Sequence, residues 1–583
     1  MRKLSDGRLI LTATDLSNFL ACDHLTQLSR RAALGEDLPR TESEMTTLLS
    51  EAGARHEDDT LKLLVQSGRS IKRFADDVSR SATSLDELQR AAAETLHAMR
   101  EGWDVIYQPT FFDGEWVGRA DFLFKVDAPS ALGAHSYEVG DAKLARHVRA
   151  EALLQLSEYS FQVERLQGHA PERMRVLLGD GSERAHLVGD FAAYHLSVRK
   201  QLREAVHGAQ TYPLKVAHCK VCVYADLCES KRRADDHLSL VARMRSDQIH
   251  KLENVRVATL TELAGLPEEV AVPRLAATTL ESLRLQASLQ LRGRAFPGGA
   301  PLVELLHEDN AGFGLAALPT PSPGDVFFDM EGDPLARDQP LEYLFGAVTV
   351  EVGESRYHSW LGHDAREEKA AFEGFMDWLM ARLARYPDMH VYHYAAYERS
   401  ALLNLMGRHA TRESEVDELL RRGVLVDLYR VVRQGVRLST ESYGLKEVER
   451  LYLAPRGESI ADAQGSVVAY ERWLSSGLTA QTRDQRLLDG IIEYNEVDCV
   501  STWRLRDWLE QRRIQWEREH TAALPRPVPP EGAVSAALEE SVTAAEEMRS
   551  RLTDGIPDDP VARTREQAAT WLLAQLLGYH RRE

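Results

Sequence analysis

The period of the apolar positions changes several times along this chain, and each change marks a different element. Between Val105 and Phe124, apolar and aromatic residues recur at alternate positions in two runs, Val105–Phe112 and Glu115–Phe124. Period two places successive side chains on opposite faces of a strand, and the Asp113-Gly114 pair between the runs is strong hairpin-turn chemistry. A further strand is predicted over Tyr137–Lys143, followed by a helix through Gln155 and Tyr159. Upstream, residues 42–66 have helical spacing, and Thr14 is the expected N-cap of a helix carrying Cys22 at its far end. From His237 to Leu318 helix formers prevail, with paired helices expected over 249–263 and 270–291, until Pro319-Thr-Pro-Ser-Pro323 breaks the pattern. An apolar strand over Asp325–Asp333 follows, then a strand at Val391–Tyr394 and a helix from Glu493 through Trp508. Pro525–Pro530 reads as a stiff linker before a last helical segment ending at Tyr579–Glu583. These shifts predict a multidomain α/β protein divided at 1–236, 237–320, 321–518 and 519–583.

Composition narrows the class. At 583 residues the chain has the length of roughly four domains, and no apolar run approaches a membrane span. Met1-Arg2-Lys3 leads into polar residues rather than an apolar secretory core, so a soluble, cytoplasmic protein is expected. A formal net charge of -19 excludes a surface coated in positive potential and by itself counts against nucleic acid as a partner. Basic residues nevertheless cluster at Arg30-Arg31, Arg146-His147-Val148-Arg149 and Lys231-Arg232-Arg233, which keeps that partner open.

Four of the five cysteines have metal-ligand spacing: Cys219, Cys222 and Cys228 form C-x2-C-x5-C, and Cys22 stands far upstream. Disulfides would need an oxidising compartment, and the polar stretch around Cys219–Cys228 is a poor place for core thiols. A metal centre is the expectation. C-x2-C serves zinc as well as iron–sulfur centres, and the one-plus-three arrangement tilts the expectation toward a cluster. Cys499 has no nearby thiolate partner and reads as a small core residue.

The acids form two constellations. Asp141 and Lys143 are two apart on a strand and share a face, with Asp121 at the end of a neighbouring strand; Gln155 and Tyr159, i and i+4, share a helix face. Two carboxylates can hold Mg2+ or Mn2+, and an ammonium can orient or deprotonate water and offset developing charge. Any one of these residues alone is more often an exposed pair or a satisfied surface group, and Glu138, by strand parity, faces the other way. In the second constellation Asp329 and Glu331 share a strand face, while Tyr494 and Asp498 align on a helix, so that a metal would be shared between strand and helix and Tyr494 would hold the attacking water. Glu398 and Asp427 are further acidic candidates, the latter equally well an N-cap.

Gly118-x-x-Asp121, Asp141-Ala-Lys143 and Gln155-x-x-x-Tyr159, in that order, resemble the PD-(D/E)xK nuclease core in its RecB form. Gly53-x-x-His56 is similar to that form's histidine motif, which implies that His56 helps bind the metal. The cysteine set is similar to the 4Fe-4S staple of AddB-type and CRISPR-adaptation nucleases of this group. Asp329-x-Glu331 and Tyr494-x3-Asp498 resemble the YprB-like branch of ribonuclease-H-like DEDDy exonucleases, with Tyr397-Glu398 standing where an aromatic-Asp pair is usual. The segments 249–263 and 270–291 loosely resemble a helix-hairpin-helix module, a helical spacer being an equal expectation. These resemblances imply a restriction-endonuclease-like domain, a helical connector and a ribonuclease-H-like domain. They imply a divalent-metal-dependent nuclease acting on DNA, single-stranded or at ends, or on RNA, and a helicase domain or partner. The chain itself has no G-x4-G-K-[ST] phosphate loop. The rival expectation is a platform that binds nucleic acid or a helicase without cutting.

Overall fold

The computed structural model describes residues 1–583 apart from 75–76, 296–297, 307–309, 311, 337–338, 352, 455–462, 478–481, 529–535, 558 and 578–583. The C-terminal segment Tyr579–Glu583 and the end of the expected linker, Pro529-Pro530, lie outside the described residues.

The fold is mixed α/β. The run Glu115–Phe124 is divided between two sheets. Trp116–Arg119 joins a four-stranded sheet in the order Arg2–Lys3, Leu9–Thr12, Trp116–Arg119, Thr110–Phe112, while Phe122–Val126 enters a six-stranded one. The larger sheet runs Glu183–Leu187, Arg173–Leu178, Ser136–Lys143, Phe122–Val126, Val105–Tyr107, Ile71–Arg73. Val105–Phe112 is divided likewise, at Gln108, which has φ +56° and precedes Pro109. A left-handed residue followed by a proline ends the pleat and removes a ladder donor. The two crossings are tied together, since the Gln108 N–H donates to the Asp121 carbonyl at 2.8 Å. The Asp113-Gly114 hairpin forms as expected within the smaller sheet, with Gly114 at φ +101°.

Thr12, rather than Thr14, caps the helix Ala13–Ala21. Its hydroxyl accepts from the Asp15 N–H at 3.3 Å and Asp15 returns a bond to the Thr12 N–H at 2.8 Å, a capping box that needs an acid three residues on. Cys22 sits at the junction of this helix with Asp23–Ala33. The helix expected over 42–66 runs Glu44–Gln66 behind the N-cap Ser43.

The stretch expected as one helix over 249–263 is two, Ser246–Glu253 and Leu260–Ala264, separated by Arg256 at φ +64°. The next helix starts only at Ala277, beyond Pro273, and extends to Arg294. This region is also not purely helical, because Val303–Leu305 pairs antiparallel with Val436–Leu438.

A five-stranded sheet follows, ordered Glu354–Leu361, Leu341–Glu351, Val326–Asp333, Val391–His393, Leu425–Asp427. The first three strands are antiparallel; Val391–His393 pairs in parallel with the central strand, and Leu425–Asp427 in parallel with Val391–His393. Both faces are covered, which explains the unbroken apolar run Val326-Phe327-Phe328 where a one-sided strand would alternate. Phe328 packs under the helix Ala365–Arg385 with Phe372 and Phe375, and Phe327 under the helix Gln485–His520 with Trp503 and Leu505. Each fully buried Phe contributes roughly 1.5–3 kcal/mol. A register shift between Glu331 and Gly332 breaks the ladder at the end of the central strand. Among the described residues no helix is long and apolar enough to cross a membrane.

Candidate functional site

The central strand Val326–Asp333 and the long helix Gln485–His520 meet at three acids. One ligand oxygen from each of Asp329, Glu331 and Asp498 lies within 4.8 Å of the others, and among the described residues this is the set of metal-ligand type that converges so closely. Strand parity puts Asp329 and Glu331 on one face, and the helix crossing that face supplies Asp498. Neighbours that the sequence reading missed fix the acids. Ser466, on the helix Ala463–Ser475, donates to Glu331 Oε2 at 2.7 Å, and Tyr343 is 2.9 Å from the same hydroxyl. Asn495 Nδ2 donates to Asp329 Oδ2 at 2.8 Å while the Tyr357 hydroxyl donates to Asn495 Oδ1 at 2.8 Å. Gly346 leaves room for that amide, since a Cβ there would stand 1.6 Å from Asn495 Oδ1.

Burial, opposed by the Ser466 hydroxyl and reinforced by the charge of Asp498, pushes Glu331 up to about 8. Burial and Asp498 likewise raise Tyr494, which therefore keeps its hydroxyl proton. The Lys446 ammonium lies 4.8 Å from the Tyr494 ring centroid and acts electrostatically on Glu331. Glu398 opens the helix Tyr397–His409 outside the close triad, with Oε2 3.4 Å from His393 Nδ1. Asp427 takes the N-cap role, accepting from the Tyr429 N–H at 2.9 Å, and also from the Ala395 N–H at 2.9 Å. Cys499 is fully buried, as a core residue should be.

Residues 326–510 match the family model described as the RNase_H superfamily. The match spans all three acids. No curated protein matches the chain. A ribonuclease-H-like domain points to nuclease-type activity on nucleic acid, and domains of this kind usually work with divalent metals.

Outside the ribonuclease-H-like domain, the six-stranded sheet brings the other predicted residues together. Lys143 Nζ is 2.6 Å from Asp141 Oδ2 and donates to Gln155 Oε1 at 3.1 Å. The Ala142 N–H donates to Asp121 Oδ2 at 2.8 Å, holding Asp121 against the same strand. Burial, then the charge of Asp141, pushes the Asp121 carboxyl well above the carboxylate range. Burial pulls Lys143 down, but Asp141 and Asp121 outweigh it and the net shift is upward, which suits orientation of water rather than its deprotonation. Tyr159 is buried with its ring against Gly118, where a Cβ would stand 2.7 Å from Cε1. His56 Nε2 lies 3.1 Å from the Leu177 carbonyl. Glu57, unremarked in the sequence because it opens the acidic run Glu57-Asp58-Asp59, acts electrostatically on Asp121 and Lys143 and accepts from Gln108 Nε2 at 2.7 Å. Glu138 faces away, paired with Arg175 at 2.8 Å.

Cys22, Cys219, Cys222 and Cys228 line one small pocket with Leu25, Leu28 and Pro213. Burial, opposed by Arg232 and helped by Cys222, pushes the Cys228 thiol up to about 11. Thiolates here need a cation to stabilise them.

Proposed function

We propose that the chain is a divalent-metal-dependent nuclease that hydrolyses phosphodiester bonds in DNA, acting on single strands or ends. The observation that carries this reading is the convergence of Asp329, Glu331 and Asp498 within the region matching the RNase_H superfamily. The donor set fits Mg2+ or Mn2+: hard carboxylate oxygens, largely buried, with Glu331 pushed up to about 8 chiefly by that burial. Bound there, the ion would polarise the phosphoryl oxygens and offset the charge that develops during hydrolysis. Asn495 and Ser466 keep Asp329 and Glu331 in register. Tyr494, protonated and beside Asp498, orients the attacking water through its hydroxyl, and Lys446 places positive charge next to it.

A second centre of the same class is proposed at Asp121 and Asp141. There Asp121 and Asp141 hold the metal with help from His56, Lys143 orients water, Gln155 fixes Lys143, and Tyr159 shapes the floor. What supports it is the strand face shared by Asp141 and Lys143, the Lys143–Asp141 pair at 2.6 Å, and the burial of Asp121 beside the charge of Asp141. In the cysteine pocket a 4Fe-4S cluster with a structural role is proposed. Its support is that Cys22, Cys219, Cys222 and Cys228, remote in sequence, line one small apolar pocket, with zinc as the alternative occupant. A helicase domain or partner that presents strands, and RNA as an alternative substrate, belong to the same proposal. Glu398, engaged with His393, favours a second reading for the ribonuclease-H-like domain alone, as a binding platform.

Digestion of end-labelled and circular single-stranded DNA, with RNA in parallel, under Mg2+ or Mn2+ tests these roles. Loss of cutting in Lys143→Ala assigns the chemistry to the Asp141 centre; loss only in Asp329→Ala/Glu331→Ala assigns it to the ribonuclease-H-like one. Sparing of the circles shows dependence on ends. A native chain that cuts none of these substrates refutes the nuclease reading in favour of the platform.

A further inference from the structure

Lys231-Arg232-Arg233, one of the basic runs that kept nucleic acid open as a partner, does not present three cations to solvent. Lys231 and Arg233 are exposed, and each is held by an acid: Lys231 by Asp235 at 2.7 Å, Arg233 by Glu441 at 2.9 Å. Arg232, between them, is buried, with 2% of its surface exposed. It stands one turn beyond Cys228 on the helix Ala225–Ala234, so the two side chains share a face. Its guanidinium donates to the Pro213 carbonyl at 3.0 Å and to Glu229 Oε2 at 2.6 Å, and Pro213 is itself a wall of the cysteine pocket. The Arg232 Nε–H is buried and has no hydrogen-bond partner among the described residues.

A buried donor without a partner is costly, and so is a buried thiolate without a donor. A metal-bound sulfur is stabilised and tuned by the N–H groups that point at it. Three of the four cysteines meet such groups from the backbone. The Val216 N–H donates to Cys219 Sγ at 3.5 Å. The amides of Leu25 and His24 act on the Cys22 sulfur, and the Tyr224 amide acts on that of Cys222. Cys228 differs because it lies inside a helix, where the N–H groups are spent on the ladder; its own bonds the Tyr224 carbonyl at 3.0 Å. The foremost influence favouring thiolate there is the charge of Arg232. Four thiolates around Zn2+, or around a 4Fe-4S core of like charge, leave roughly two units of negative charge in this apolar pocket, so either occupant gains from a cation beside it.

We propose that Arg232 is a positioning residue of the four-cysteine metal centre, turning its N–H groups and its charge to the Cys228 sulfur where the other three ligands take backbone amides. This rests on the reading that the pocket holds a metal, but not on which metal it is. With a 4Fe-4S cluster the guanidinium favours the reduced, more negative state and raises the reduction potential. With zinc it slows release of the ion.

The full chain, isolated and reconstituted anaerobically, is assayed for iron and zinc as the native sequence and as Arg232→Gln, Arg232→Lys and Arg233→Gln. If iron is bound, dithionite titration followed by electron paramagnetic resonance of the reduced cluster reads the potential. At the native midpoint the ratio of reduced to oxidised cluster should fall about tenfold in Arg232→Gln, a shift of about 59 mV for one electron. Arg232→Lys keeps the charge and loses the fork, and should fall between. Arg233→Gln, which alters the exposed neighbour, should match the native chain. If zinc is bound, its rate of release to pyridylazoresorcinol should rise about tenfold in Arg232→Gln, with the other two in the same order. Native potential or release rate in Arg232→Gln at native metal content overturns the proposal, and so does an equal shift in Arg233→Gln. Should Arg232→Gln not fold, Arg232→Lys decides alone, and native values there overturn it. A native chain that takes up neither iron nor zinc sinks the metal reading itself, a result distinct from a loaded chain indifferent to Arg232.

Discussion

Replacing Glu331 by Gln should make the metal-free protein more stable at pH 8 while abolishing its metal site. The carboxyl is held at about 8 against an ordinary 4.5, chiefly by burial. A raised acid binds more protons folded than unfolded, so its contribution to stability is intact below 4.5 and is lost as pH climbs toward 8. At pH 8 the cost is on the order of 4 kcal/mol, and an amide, itself expensive to bury, should recover about half of it. Gln can keep the bond from Ser466 at its carbonyl oxygen and donate its amide toward Asp498. The expected gain of about 2 kcal/mol corresponds to roughly 4–8 °C in the melting temperature of a domain of this size. Melting curves in EDTA at pH 5 and pH 8.5, native against Glu331→Gln, test it. The difference should be present at the higher pH and shrink at the lower, and saturating Mn2+ should reverse it by stabilising only the native chain. A difference independent of pH, or a less stable variant at pH 8.5 in EDTA, would refute the reasoning.

Gly346→Ala places a methyl where Asn495 Oδ1 stands, at 1.6 Å, so the amide must swing away from Asp329; Mn2+ affinity by calorimetry should fall about 10–100-fold at the ribonuclease-H-like centre, and an unchanged isotherm contradicts the role given to Asn495. Arg199→Met strips the cation from a buried network in which Arg199 pairs with Asp113 at 2.7 Å and approaches Glu158, itself 2.8 Å from His195. Denaturant unfolding should show a loss of about 3–5 kcal/mol, and a loss below 1 kcal/mol would mean that the pairing is not what holds those acids. Cys22→Ser should lower both bound iron and the melting temperature, measured by elemental analysis and calorimetry; unchanged values for both would remove the cysteine pocket from any metal account.

The acid pairs were readable from sequence because strand period and helix period each fix a face over two to four residues, and the structure places Asp329 with Glu331, and Asp141 with Lys143, on those faces. The division of Glu115–Phe124 between two sheets was not readable, since an alternating run looks the same whether it serves one sheet or two. Only Gln108 beside Pro109 carried a local sign of the break. Thr12 was legible in principle, because Asp15 completes a capping box with Thr12 but not with Thr14. Ser466 and Asn495 were out of reach for a different reason. Each bonds an acid more than one hundred positions away, and on its own helix each is an ordinary polar residue.

The same distances explain why glycines, which do no chemistry, belong to both centres. At Gly346 and Gly118 a backbone without a side chain lets Asn495 and Tyr159 approach the strand that carries or flanks an acid. Acids buried this way are unfavourable in the empty protein, as Glu331 near 8 and the raised Asp121 both indicate. Packing elsewhere, such as Phe327 and Phe328 on the two faces of the central strand, holds the geometry against that desolvation cost. A cation entering such a centre meets ligands already in position, so its binding releases electrostatic cost instead of spending energy on ordering the site. That physical argument joins the pH-dependent gain of Glu331→Gln to the metal loss of Gly346→Ala: the first removes the buried charge, and the second removes the scaffold that holds a neighbouring acid in place.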